Sequence, residues 1–372
     1  MKYLSVRTPL LRAAAVSCLF LMPLSGQAAE DNAAWLKLEA EQIQKNSIPG
    51  PRHVPAKILP APAGISPELK KDIEAPYNSP RWYGDHASTV AEWQSMIDRS
   101  TAATLKVVPV LRKALDVSVR EESMGGVPVY EIRPAGYRDN GKVVLYIHGG
   151  GYVYNPGITG TPEAMLMAAF TGYRVISVDY RMPPSHPYPA ALDDVFSVYK
   201  ALISQQDPGS VAVFGTSAGG GLAMSLLLRA RNEKVALPAA AGLGTPWMDL
   251  TPGGGGDTMN TLEWVDNTLI SGRGYIARSA LLYADGHSLK DPYISPLFGD
   301  FTGLPPVMII SGTRDLFLSQ GVLTQRKLRE AGNVASLQLW DGMSHAQYNN
   351  YQAPESRQVF QEVGKFFTEY LR

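Results

Sequence analysis

The chain has 372 residues, 45% of them hydrophobic and 18% charged, with 34 Lys and Arg against 34 Asp and Glu. That is enough for one large domain, or for one domain with an appended lid. The balanced charge argues against a nucleic-acid surface or a basic membrane-seeking face, and neither an HExxH zinc sequence nor a Walker-type phosphate loop occurs.

In chain order, the N-terminus reads as a cleavable export signal over residues 1–28. Lys2, Arg7 and Arg12 precede an apolar run from Ala13 to Leu24, and Ser25, Gly26, Ala28 and Ala29 follow it. The run is shorter than the roughly 20 residues a bilayer span needs. Export to the periplasm or the medium is therefore expected, with no stable membrane insertion after the signal is removed. The single cysteine, Cys18, lies inside this run. The processed chain is expected to hold neither a disulfide nor a thiol nucleophile.

Residues 29–114 read as a helical, loop-rich cap. Helices are predicted over Ala33–Asn46, Thr89–Arg99 and Ala102–Ala114, with a kink at Pro109, and a proline-rich stretch covers Pro49–Pro67. From Val117 the character changes. Two short strands flank Gly125-Gly126 as a hairpin. Apolar runs at Val143–Ile147, Arg174–Asp179, Val211–Phe214, Ala239–Leu243, Pro306–Ser311 and Ser336–Trp340 then alternate with helical segments. Continuous apolar strands separated by helices predict a mostly parallel sheet covered on both faces. Residues 115–372 thus form the expected α/β catalytic domain. Residues 245–273, with four glycines at Gly253–Gly256, break the rhythm and are a candidate second cap segment.

Three places carry chemistry. Gly215-Thr216-Ser217-Ala218-Gly219 joins an apolar strand to a helix, which puts Ser217 on a tight turn as a candidate nucleophile. His148-Gly149-Gly150-Gly151 directly follows the strand Val143–Ile147. The amides of Gly149, Gly150 and Ala218 are the candidate oxyanion hole, and His148 is expected to shape the loop rather than react. Asp315 lies just past the carboxyl end of the strand around Val307–Ser311, and His345, the only histidine after it, follows the strand ending at Trp340. The order Ser, acid, His makes Asp315 and His345 the expected partners of Ser217. Tyr152 and Trp247 are candidate walls of a substrate pocket, with Trp35, Trp82, Trp93 and Trp264 behind them.

Together with Asp179-Tyr180-Arg181, the run His186 to Ala191 and the run Asp291 to Pro296, these motifs resemble the hormone-sensitive-lipase-like branch of the α/β hydrolases, over residues 117–372. Thr216 stands where that family often has Asp before the nucleophile. The resemblance implies an α/β-hydrolase fold with a helical cap. It also implies hydrolysis of short or medium acyl esters or lactones, with no metal or organic cofactor. Two alternatives stay open on the sequence: an amidase or arylformamidase of the same fold, or a non-catalytic ligand-binding homologue. The sequence does not specify an oligomeric state.

Overall fold

A computed structural model describes residues 26–77 and 87–372. The expected signal, apart from its last few residues, and Trp82 lie outside the described residues. Two compact units are present, residues 1–59 and residues 60–372. In the first, helix α1 covers Gly26–Lys45, so the expected signal boundary at residue 28 falls inside a helix.

The second unit opens with α2 (Pro67–Ile73) and α3 (Val90–Ala114). The Ser66 side chain caps α2 by accepting the Leu69 N–H, and Pro67 occupies the first turn, where its missing N–H costs nothing. Thr89 and Glu92 close a reciprocal capping box on α3. Two helices were expected here, but α3 is continuous. Pro109 lies on its exposed side, where the carbonyl it strips of a partner can face solvent. Val108 and Leu111 anchor this stretch in the core. Residues 60–114 fall in the same compact unit as the sheet.

The strands are β1 (Val117–Met124), β2 (Val127–Pro134), β3 (Val143–Ile147), β4 (Arg174–Val178), β5 (Val211–Thr216), β6 (Ala240–Gly244), β7 (Val307–Gly312) and β8 (Ala335–Trp340). Interleaved with them are α4 (Pro162–Thr171), α5 (Ala190–Ile203), α6 (Ala218–Asn232), α7 (Thr258–Thr261), α8 (Tyr275–Ala284), α9 (Leu318–Glu330) and α10 (Pro354–Tyr370). The strands form one sheet in the order β1-β2-β4-β3-β5-β6-β7-β8. Pairing from β4 through β8 is parallel, and β2 meets both β1 and β4 antiparallel.

Side chains alternate between two cores, as a period of two requires. Val143, Leu145 and Ile147 face the core built with α5, α6, α8 and α9, whereas Val144 and Tyr146 face the one built with α2, α3, α4 and α10. Both faces of β3 are buried, which is why it reads as an uninterrupted apolar run.

Register decides where the chemistry can go. Ile147 pairs with Gly215, Thr216 with Gly244, Gly244 with Ile310 and Gly312 with Trp340. Five adjacent strands, β3 and β5 to β8, thus end nearly level at their carboxyl ends. The strand order also turns back on itself at β3, which opens a crevice there. Residues 148–151, Ser217, Asp315 and His345 all follow these ends.

Candidate active site

Ser217 sits between β5 and α6 with φ 58° and ψ −121°, a sparsely populated conformation for a residue with a side chain. Three backbone hydrogen bonds hold it there. Its N–H donates to Gly244 O at 2.8 Å, and its carbonyl accepts from Gly221 N–H at 3.1 Å and Trp247 N–H at 3.0 Å. The turn is so tight that a Cβ on Gly219 would run into the Ile147 carbonyl. Ala218 starts α6, and the first amides of a helix have no partner within it.

The loop after β3 presses on the same point. A Cβ on Gly149 would lie 2.8 Å from Thr216 O and 3.2 Å from Ser217 Cβ, so only glycine fits. Two carbonyls of this loop are pinned from behind. Tyr180 OH donates to His148 O at 2.7 Å, while His148 Nδ1 and Asn155 Nδ2 donate to Gly149 O at 2.8 and 3.0 Å. In a trans peptide the N–H points opposite to its carbonyl. Pinning these carbonyls therefore turns the amides of Gly149 and Gly150 the other way. His148 shapes the loop, as expected. Its ring stacks on Tyr180 at 4.2 Å, and burial pushes its pKa down to about 4, so it is neutral near pH 7.

Asp315 and His345 meet. His345 Nδ1 lies 2.9 Å from Asp315 Oδ1, and both side chains are buried. The carboxylate only accepts, so Nδ1 carries the proton and Nε2 keeps its lone pair. Ser311 Oγ donates to Asp315 Oδ2 at 2.6 Å, and Phe317 N–H to Oδ1 at 3.0 Å. The edge-on ring of Phe317, with centroids 5.0 Å apart, backs the imidazole. His345 Nε2 has no hydrogen-bond partner among the described residues. It shares one cavity of about 510 Å³ with Ser217, Gly149 and Gly150. In unliganded sites the bond from nucleophile to base is often closed only when substrate arrives.

A second acid completes the cluster. Asp266, from the 245–273 segment, is fully buried, and its carboxylate accepts the backbone N–H of His345. Burial first, and then the charge of Asp315, push its carboxyl above the usual range; His345 and the amides of Leu316 and Leu269 pull it back. Asp266, Asp315 and His345 offer ligand atoms within 4.8 Å of one another. Their oxygens are already committed to N–H and O–H donors, so the set is a hydrogen-bonded cluster rather than a metal cage.

The alpha/beta hydrolase fold family matches residues 144–349. A crystal structure of the esterase E25 superposes with a TM-score of 0.82 at 38% identity, over 86% of this chain and 99% of that one. A solved esterase of the bacterial hormone-sensitive lipase family aligns at 30% identity and a TM-score of 0.65, over 77% and 100% of the two chains. The chain belongs to the hormone-sensitive-lipase-like branch of the α/β hydrolases. An acetyl-hydrolase of Streptomyces hygroscopicus is 31% identical over 63% of this chain and 77% of its own.

One departure from the hydrolase pattern has a structural answer. Thr216 replaces the Asp often found before the nucleophile, and a carboxyl comes instead from α4. Thr216 Oγ1 donates to Glu163 Oε1 at 2.5 Å, and Tyr146 OH and Asn349 Nδ2 donate to Oε2 at 3.0 and 3.1 Å. Burial pushes the Glu163 carboxyl up, and these three donors hold it down. No sequence spacing points to Glu163, because the contact spans 53 positions.

The aromatic candidates need correction. Tyr152 and Trp247 are 1% and 2% exposed and lie in the core, not on the cavity wall. Tyr152 has φ 64°, and its ring stacks on Tyr283 with centroids 3.9 Å apart. Trp247 stacks on Phe317, so it backs the support of His345. Trp93 is buried in a small cluster with Tyr154, and Trp35 and Trp264 are exposed. The hydrolase cavity is walled instead by Thr104, Val107 and Leu111 of α3, by Leu166, Thr268, Leu269 and Ile276, and by Tyr154 and Tyr275.

The depressed pKa of His148 makes a signed prediction. Unfolding returns this ring to its ordinary pKa of about 6.5, so the unfolded chain takes up a proton that the folded one resists. His148 therefore contributes stability above that pH, and the contribution is lost as pH falls toward about 4. In His148→Gln the decline in unfolding free energy over this window should be shallower than in the wild type. Urea denaturation at several pH values measures it. Equal slopes would contradict the assignment.

Proposed function

We propose that this protein is a serine carboxylic-ester hydrolase for short or medium acyl esters or lactones, working through an acyl-enzyme on Ser217. The observation that carries the reading is the buried Asp315–His345 pair at 2.9 Å, opening onto the same cavity as a serine on a strained strand-to-helix turn. The esterases and acetyl-hydrolase among its relatives support it.

In this reading, Ser217 Oγ attacks the ester carbonyl while His345 Nε2 takes its proton. Asp315 holds the ring in the required tautomer and stabilises the imidazolium. The oxyanion forms against the amides of Gly149, Gly150 and Ala218, donors set before the charge appears. His345 then protonates the departing alcohol, and water activated by the same ring releases the acid. Substrate partners are small molecules. The largely apolar wall from α3 suits an acyl chain.

The test is a panel of p-nitrophenyl esters of increasing chain length and of lactones, with the anilide of butyrate alongside. Ester cleavage should be at least 10³-fold faster than anilide cleavage, and Ser217→Ala and His345→Ala should each lower kcat by about 10⁴-fold or more. Faster anilide cleavage would favour the amidase reading. No turnover with any ester, lactone or the anilide would leave only a binding protein.

We also propose export, on the basic residues and apolar run of residues 2–24. Among the described residues no helix is long and apolar enough to cross a membrane. N-terminal sequencing of the protein recovered outside the cytoplasm should begin near residue 29. Recovery of the intact Met1 terminus there would contradict cleavage.

A further inference from the structure

Asp266 is a buried acid that the reaction drawn above does not use. Its Oδ2 accepts the N–H of Leu316 at 2.8 Å and of His345 at 3.2 Å. Its Oδ1 accepts the N–H of Thr268 at 2.8 Å and of Leu269 at 3.0 Å. Four N–H donors converge on one carboxyl. A proton on either oxygen would point at a donor, so this set of partners favours the ionised form. The group also stands within 4.8 Å of both the Asp315 carboxyl and a ring nitrogen of His345. Two carboxylates therefore flank one imidazole where little water can screen them.

We propose that Asp266 is a positioning residue of the triad, with two effects. It staples the turn after Asp315 to the backbone of His345, and it places a second negative charge beside the ring. The proposal rests on the esterase reading. As the Oγ–carbon bond forms, the Ser217 proton passes to Nε2, while the Nδ1 proton stays shared with Asp315. When the ester C–O bond breaks, the Nε2 proton leaves on the alcohol oxygen. Asp266 exchanges no proton. It stabilises the ring while it is charged. The other titratable groups around the ring are Asp315 and Glu163, whose charges both reach this cluster, and Tyr348, which faces both of those carboxyls. Glu163 is bonded to the side chains of Thr216, Tyr146 and Asn349, whereas Asp266 is bonded to the backbone of His345 itself.

A mere loop staple and a charge beside the base predict different pH profiles. A neighbouring anion favours the protonated ring, so it moves the acidic limb of kcat/KM to higher pH. Asp266→Asn keeps the size and one acceptor but removes the charge. With p-nitrophenyl butyrate as probe, its acidic limb should move to lower pH by about half a unit or more. Its plateau kcat should fall about 10-fold or more as the imidazolium loses support. An acidic limb at the wild-type position overturns the proposal, whatever happens to kcat. If Asp266→Asn does not fold, Asp315→Ala gives the complementary result. With Asp266 left to carry the charge, its limb should drop by no more than about one unit, and a larger drop overturns the proposal. A wild-type protein that cleaves no ester would sink the esterase reading. An active wild type with an unmoved limb in Asp266→Asn sinks only this inference.

Discussion

The backbone at Ser217 is held in a conformation that would relax if left alone. Such strain costs on the order of 1–3 kcal/mol and persists only where the surroundings over-determine it. Here they do so from three sides. The end of β6 takes the Ser217 amide, α6 takes its carbonyl through Gly221, and Trp247 takes the same carbonyl from the segment after β6. That arrangement requires β5 and β6 to end level, which the pairing of Thr216 with Gly244 provides. It also requires the loop after β3 to approach without side chains, which Gly149 and Gly219 permit. The rest of the site inherits its geometry from this point.

Around that turn, the molecule buries an uncommon amount of ionisable chemistry. Glu163, Asp266 and Asp315 are all buried, yet each carboxyl has partners for its oxygens. An unpartnered buried carboxylate would be too costly to keep, so such groups survive only when fully hydrogen-bonded. The consequence for function is rigidity. Rings and amides that must meet a developing charge are fixed before substrate arrives, and no reorganisation is needed when the charge forms.

Much of this was legible in the sequence, for definable reasons. Ser217 was visible because its glycines lie between an apolar strand and a helix. Asp315 and His345 were visible because each follows a buried strand in the required order. The sheet was visible because its inner strands are buried on both faces. Asp266 was hidden. It lies in a glycine-rich stretch with no strand-helix rhythm, and its contacts close loops of 50 and 79 residues. Glu163 was hidden for the same reason. Tyr152 misled because closeness to the glycine loop in sequence is not closeness to the cavity, since its positive φ accompanies a ring stacked in the core. The helix α3 was split at residues 100–101, where Ser100 and Thr101 are weak helix formers, but Ser100 is buried and the helix runs through.

The central claim is convergence: residues 128 positions apart in the chain, from Ser217 to His345, act at one carbon atom together with the amides of the loop after β3. A crystal structure of the full chain reacted with diethyl p-nitrophenyl phosphate tests it most directly. The account predicts a single phosphoryl adduct on Ser217 Oγ, with one phosphoryl oxygen within about 3 Å of the amides of Gly149, Gly150 and Ala218, and with His345 Nε2 facing Oγ. An adduct on another residue, or a phosphoryl oxygen turned away from those three amides, would contradict it.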